Sequence, residues 1–176
     1  TLCLRNLADF AEAAGHVPVL QVSTCYVNGY NAGTIPEGVS APASGLVPRD
    51  QDGTFDVDSL LLSLQGKIED LQARILEPEA RGDTYTFTKW LGEQILLKRL
   101  KGRTVTIVRP SVIESCLQEP KPGWIEGVKV TDSILLAYER GKVSLFPGRK
   151  NGIVDIIPAD LVANAVILGM AEALLE

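Results

Sequence analysis

Tyr85 and Lys89 stand four residues apart in the stretch DTYTFTKWLGEQILL, Asp83 to Leu97. In a helix that spacing puts both side chains on one face, one above the other. A phenol ionises near pH ~10 in water and gives up its proton reluctantly at neutral pH. An ammonium held close to it favours the phenolate and brings proton transfer nearer to its efficient range. A second hydroxyl source, Ser23-Thr24, lies about sixty residues upstream. Together these groups could grip one carbonyl oxygen as it gains negative charge on hydride arrival. A plainer reading fits the same pair: a packed Tyr beside a Lys whose stem covers apolar surface. Tyr-x-x-x-Lys is short enough to occur by chance, so the elements that carry it matter.

The hydroxyl pair closes Pro18 to Thr24, PVLQVST, an apolar run with β-branched residues that reads as a buried strand. Before it, residues 1–14 keep helical spacing, and Gly15 supplies a stop. Asn28 to Thr54 is rich in Gly, Pro, Ser and Ala, a loop long enough to be functional or mobile. Asp56 is a suitable N-cap for a helix patterned by Val57, Leu60, Leu61, Leu64, Ile68, Leu71 and Ile75. Pro78 and Gly82 break the chain before a helix over Thr84 to Leu100, which Gly102 ends.

In that helix Phe87, Leu91 and Ile95 form an apolar stripe roughly opposite Tyr85 and Lys89, and Trp90, Leu97 and Leu100 widen it. A helix apolar on most sides is buried on most sides, against its own sheet or a second subunit. A homodimer through Thr84–Leu100 is therefore an expectation. Thr104 to Arg109 reads as another buried strand, ended by Pro110. Further on, the pattern predicts a helix over Val130 to Arg140, strands over Val143 to Phe146 and Ile153 to Ile157, and a closing helix over Ala159 to Leu175. Strands alternating with helices predict an α/β fold with a mostly parallel sheet. Ligands of such sheets sit beyond the carboxyl ends of the strands. Those ends are Ser23-Thr24 and Arg109-Pro110-Ser111.

Composition narrows the class of function. The 176 residues suffice for one domain, with 45% hydrophobic and 22% charged residues. A formal net charge of −5 argues against a nucleic-acid binder, which needs a basic patch. Three scattered cysteines and one His give no metal-ligand spacing and fit a reducing, cytoplasmic setting. The longest apolar stretch, Leu161 to Ala171, is too short to span a bilayer. The chain opens on Thr1, already inside a helical pattern, so it reads as a fragment with its upstream part missing.

Four blocks carry a resemblance: VSTCYVNG, DTYTFTKWLGEQ, TIVRPSVIESCLQEPKPGWIEG and VDIIPADLVANAVI. They resemble alcohol-forming fatty acyl-CoA reductases, of the bacterial type, in the extended short-chain dehydrogenase/reductase superfamily. The likeness runs over nearly the whole chain, and P-G-W-I-E-G after V-R-P-S is its most specific part. It implies a Rossmann-like, mostly parallel sheet flanked by helices, whose N-terminal βαβ units are missing here. It further implies that Tyr85 donates the proton and that Lys89 assists Tyr85 and holds the nicotinamide ribose. Thr24 would bind the substrate carbonyl with Ser23 beside it, and Pro110, Ser111 and Val112 would line the nicotinamide. The implied reaction uses NADPH to reduce a fatty acyl-CoA to aldehyde and then to primary alcohol. Two departures stand out. No strand leads into a Gly-rich pyrophosphate turn, and the stretch between the amphipathic helix and Tyr85 is shorter than the family norm.

Other residues leave alternatives open. Cys25, beside Thr24, is either an acyl-accepting thiolate or an inert buried thiol, and His16 reads as a loop residue at the start of the strand. Arg109 is either a structural strand-end residue or a phosphate contact. Trp124 either lines an acyl channel or packs. Glu114 and Glu119 are expected to be solvated or bound to backbone, and Asp160 to serve the start of the last helix. Two other functions compete with the acyl-CoA reductase: a carrier-protein-linked thioester reductase using the same Thr, Tyr and Lys, and a non-catalytic interaction module.

Overall fold

The computed structural model describes residues 2–15, 17–28, 34–38, 49–74, 84–127, 130–145, 148–149 and 151–175, with backbone alone at 2, 68–74, 84 and 130. His16, most of the Gly/Pro-rich loop, Ile75 and the breakers Pro78 and Gly82 lie outside the described residues. So do the side chains of Ile68 and Leu71. The chain divides into two units, one of residues 1–109 with 169–176 and one of residues 110–168.

The first unit opens with α1, Leu2–Ala13, whose end is set twice over. Gly15 takes a left-handed φ of 84°, which a Cβ would make costly. Arg103 then covers carbonyls left over at the helix end, donating from Nη1 to the Ala11 oxygen at 2.6 Å and also to the Gly15 oxygen. Strand β1, Val19–Val22, pairs in parallel with β2, Val105–Val108, Val22 opposite Val108. The expected N-cap holds, since Asp56 Oδ1 accepts the Ser59 N–H at 3.1 Å at the head of α2, Val57–Arg74.

Helix α3, Thr84–Arg99, carries the Tyr/Lys pair and is packed on both flanks. One flank joins Trp90, Leu91 and Ile95 to Val27, Phe55 and Val57, with Leu60, Leu61 and Leu64 of α2 closing over them. The other joins Leu96 and Leu100 to Ala8 and Ala11 of α1 and to Val19 of β1. At Gly92 a Cβ would run into the Leu4 side chain, so glycine lets α1 and α3 approach closely. Arg99 adds an ionic tie between them, reaching Asp9 at 2.6 Å and Glu12 at 2.8 Å. The breadth of apolar surface on α3 thus has an explanation that needs no second copy of the chain.

The second unit contains β3, Val112–Glu114, in parallel with β4, Ile156–Pro158, and α4, Val130–Glu139. Helix α5, Ala159–Ala173, follows β4 directly. Pro110 lies past the end of β2, as expected, and β3 is a strand that the sequence pattern does not predict. The strand expected over Val143 to Phe146 is absent at 143–145, and Phe146 lies outside the described residues. There the Lys142 and Val143 N–H groups bond back to the Ala137 carbonyl and finish α4, which uses the backbone a strand would need. The strand expected over Ile153 to Ile157 shrinks to its last residues. Ile153 is 94% exposed, so apolar character there lacked the partner that makes a strand.

Asp160 does more than begin a helix. Its carboxylate accepts the N–H groups of Leu117 at 2.9 Å, Gln118 at 2.8 Å and Glu119 at 3.2 Å. These bonds clamp the turn that Cys116 and Trp124 close by their own backbone bonds. They also hold the Asp160 carboxyl down to about 2, below its ordinary 3.8. With the folded value depressed, the clamp is complete above about pH 4 and is lost as pH falls through about 2. The Gln118 amide resonance should therefore titrate with a midpoint near 2, and Asp160→Ala should flatten that titration. A midpoint at the ordinary 3.8 would mean the clamp is absent in solution.

Candidate active site

The site in the first unit starts from the parallel pair. Past Val22 the ladder takes one more step, the Ser23 N–H donating to the Val108 carbonyl at 2.7 Å. Ser23 and Thr24 are both buried there, 3% and 4% exposed. Thr24 then starts a single 3₁₀ turn over Cys25–Asn28, whose Val27 is anchored in the α3 core. Thr24 Oγ1 accepts the Tyr26 N–H at 3.3 Å. A hydroxyl that accepts in this way still has its own proton to donate, and no described residue takes it. Ser23 Oγ is buried with no hydrogen-bond partner among the described residues. An orphan hydroxyl at a strand tip is the kind of polar atom that a bound ligand would satisfy.

Helix α3 brings the pair to the same place. Lys89 Nζ donates to the Val22 carbonyl at 3.3 Å and lies 5.8 Å from the centre of the Tyr85 ring. The two side chains share a face, and that face meets the end of β1. Tyr85 is 55% exposed, so its ring is not part of the core and its hydroxyl is open to a reactant. Its hydroxyl meets no described partner. The ammonium has three donors and one is used on Val22, which leaves capacity for a diol or other polar ligand.

Four expected residues, Ser23, Thr24, Tyr85 and Lys89, are thus gathered by one strand tip and one helix face. Pro110, Ser111 and Val112 belong to the second unit, with Val112 opening β3. Arg109 has structural partners at the end of β2. Arg109 forms a two-pronged ion pair with Glu93, Nε to Oε1 at 3.0 Å and Nη2 to Oε2 at 2.8 Å. Glu93 was missed as a site residue, although its place four residues after Lys89 on the same helix face was a usable signal. Glu119 is exposed as expected, but Glu114 is not solvated: it is 9% exposed and its Oε1 has no partner among the described residues. As the third residue of β3 it points inward by strand alternation.

Of the hollows on the first unit, two lie along β2. One, of about 530 Å³, lies at the carboxyl end of β2 and is lined by Cys25, Asn28, Ile35, Leu97, Ile107 and Arg109. The other, about 620 Å³, lies at the opposite end of that strand around Gly102 to Thr106 and holds none of the chemistry-bearing residues. Cys25 is half-buried at the first hollow and makes no disulfide.

Comparison with known proteins gives the chain a family. Residues 1–166 match an NAD-binding family model described as Male sterility protein. The chain belongs to that family. Its relatives include fatty acyl-CoA reductase 2, chloroplastic, of Arabidopsis thaliana, 34% identical over 95% of this chain and 30% of its own length. The alcohol-forming fatty acyl-CoA reductase of Simmondsia chinensis is 32% identical over 94% of the chain and 37% of its own length. Fatty acyl-CoA reductase 1 of Xenopus laevis is 30% identical, again over 94% and 30%. The chain thus spans about a third of the length of the curated relatives it matches. A family of NAD-binding domains implies a nicotinamide cofactor, and Lys89 with the orphan Ser23 hydroxyl fits the sugar end of one. No Gly-rich pyrophosphate turn occurs in the 176 residues.

Proposed function

We propose that this chain supplies the reacting groups of an NADPH-dependent fatty acyl-CoA reductase that carries its substrate through the aldehyde to the primary alcohol. The observation that carries this reading is the meeting of Lys89 Nζ, one helical turn from Tyr85, with the carbonyl of Val22, the last β1 residue before Ser23-Thr24. The reductases among its relatives support the choice of substrate. When bound, the nicotinamide supplies hydride to the thioester or aldehyde carbon. Thr24 Oγ1 gives a hydrogen bond to the carbonyl oxygen and holds it in place. Tyr85 Oη delivers its proton to that oxygen as negative charge builds there; in the thioester step the C–S bond then breaks, that proton passes to the departing CoA sulfur, and the aldehyde remains for the second hydride. Lys89 Nζ, steadied by the Val22 carbonyl, holds the ribose hydroxyls. Pro110, Ser111 and Val112 are proposed to line the nicotinamide.

We further place the protein in the bacterial type of these enzymes, within the extended short-chain dehydrogenase/reductase superfamily, and its reaction in the cytoplasm. Among the described residues no helix is long and apolar enough to cross a membrane. A homodimer would have to use surface other than the two covered flanks of α3.

The test is NADPH oxidation by the complete natural protein with hexadecanoyl-CoA, followed by product analysis. Fatty alcohol should form with two hydrides consumed per alcohol. Turnover of acylated carrier protein but not of the CoA ester would replace this reading with the carrier-linked one. Lys89→Ala should weaken both binding and rate. Loss of charge-assisted hydrogen bonds worth about 1.5–3 kcal/mol predicts roughly a ten- to hundredfold rise in the NADPH dissociation constant, read by fluorescence titration.

A further inference from the structure

Glu93 continues the face that Tyr85 and Lys89 begin, four residues beyond Lys89 on α3. Its side chain is fully buried, and both carboxylate oxygens are taken by Arg109 at the tip of β2. The third arm of the same guanidinium, Nη1, donates to the Gly38 carbonyl at 2.7 Å. One cation therefore joins the reactive face of α3, the end of β2 and the 34–38 segment.

Strand register adds to this. Val22 and Val108 are paired neighbours, so the strand tips that follow them lie side by side. Lys89 reaches the first tip and Glu93, through Arg109, the second. Two points one helical turn apart on α3 are thus fastened to two adjacent strand ends. The Lys89 contact, a single bond of 3.3 Å from a flexible stem, holds α3 weakly. The Glu93–Arg109 fork is planar and directional, and it fixes rotation as well as distance. The apolar clusters on the flanks of α3 stabilise the helix but tolerate small slides and repacking.

A buried ion pair is a poor source of stability, because desolvation cancels much of its attraction and apolar residues of like size often replace it without loss. We propose that the Glu93–Arg109 pair is a positioning device: it sets the height and rotation of α3 so that Tyr85 and Lys89 meet the β1 tip in reacting geometry. Neither residue touches the substrate. The inference rests on the reading of Tyr85 as proton donor.

The experiment compares the complete natural protein with Glu93→Met/Arg109→Met, Arg109→Lys and Tyr85→Phe. The double variant removes the pair without leaving a buried charge and should melt cooperatively near the natural temperature. Its kcat should fall at least about tenfold, the order expected when reacting groups are displaced by a fraction of an ångström. Its NADPH dissociation constant should stay within about threefold, and a primary isotope effect from deuterated cofactor should grow as hydride transfer becomes limiting. Amide exchange at 89–93 should quicken in the free protein. A folded double variant with natural kcat and natural exchange overturns the proposal. If the double variant does not fold, Arg109→Lys decides by the same readings, since it keeps the charge and loses the fork. If Tyr85→Phe itself retains activity, the reading of Tyr85 fails. If only the pair variants retain activity, the positioning inference alone fails.

Discussion

Tyr85→Phe is expected to lower kcat by roughly a hundred- to ten-thousandfold while leaving the NADPH dissociation constant within about twofold. That range is what a positioned proton donor contributes. The structure explains why the loss should be so selective. The Tyr85 ring is more than half exposed and its hydroxyl meets no described partner, so removing one oxygen disturbs neither packing nor a hydrogen-bond network. The folded variant should melt with the natural protein. An interaction made only in the transition state lowers kcat and kcat/KM together, and steady-state kinetics on the aldehyde step would show both falling in step. A near-natural kcat would mean that the proton comes from another group.

Trp90→Ala should be the most damaging change to stability. Trp90 is 1% exposed, stands edge-on to Phe55 with ring centres 5.1 Å apart, and lies 5.8 Å from Phe87. Truncating a buried aromatic typically costs about 3–5 kcal/mol, part of it for the cavity left behind. Because Trp90 precedes Leu91 in the cluster that also holds Val27, the damage reaches the 3₁₀ turn that begins at Thr24. The midpoint of urea unfolding should drop with little change in its slope. A shift worth under about 1 kcal/mol would show that this cluster is not the core of the first unit.

Much of this site was legible because it depends on local rules. Helical spacing put Tyr85 and Lys89 on one face, and an apolar β-branched run ending in Ser23-Thr24 marked a strand tip. Asp56 and Gly15 announced where helices begin and end. What escaped was decided by partners distant in sequence. Val143 to Leu145 had strand-like residues, yet the Val143 N–H is taken by the Ala137 carbonyl at the end of α4. Glu114 looked like a surface acid until β3 turned it inward. Arg109 could be read in two ways and Glu93 went unremarked, and only folding shows a fully buried carboxylate in the grip of a guanidinium sixteen residues away. The triple clamp on Asp160 spans more than forty residues, and no spacing rule announces it.

The most direct measurement is a crystal structure of the complete protein with NADPH and an unreactive aldehyde analogue bound. The account predicts Tyr85 Oη and Thr24 Oγ1 both within about 2.6–3.2 Å of the analogue's oxygen, with Lys89 Nζ on the ribose hydroxyls. An analogue oxygen held by other groups, with Tyr85 pointing away from it, would contradict the assignment of this face of α3 as the place where the alcohol gains its proton.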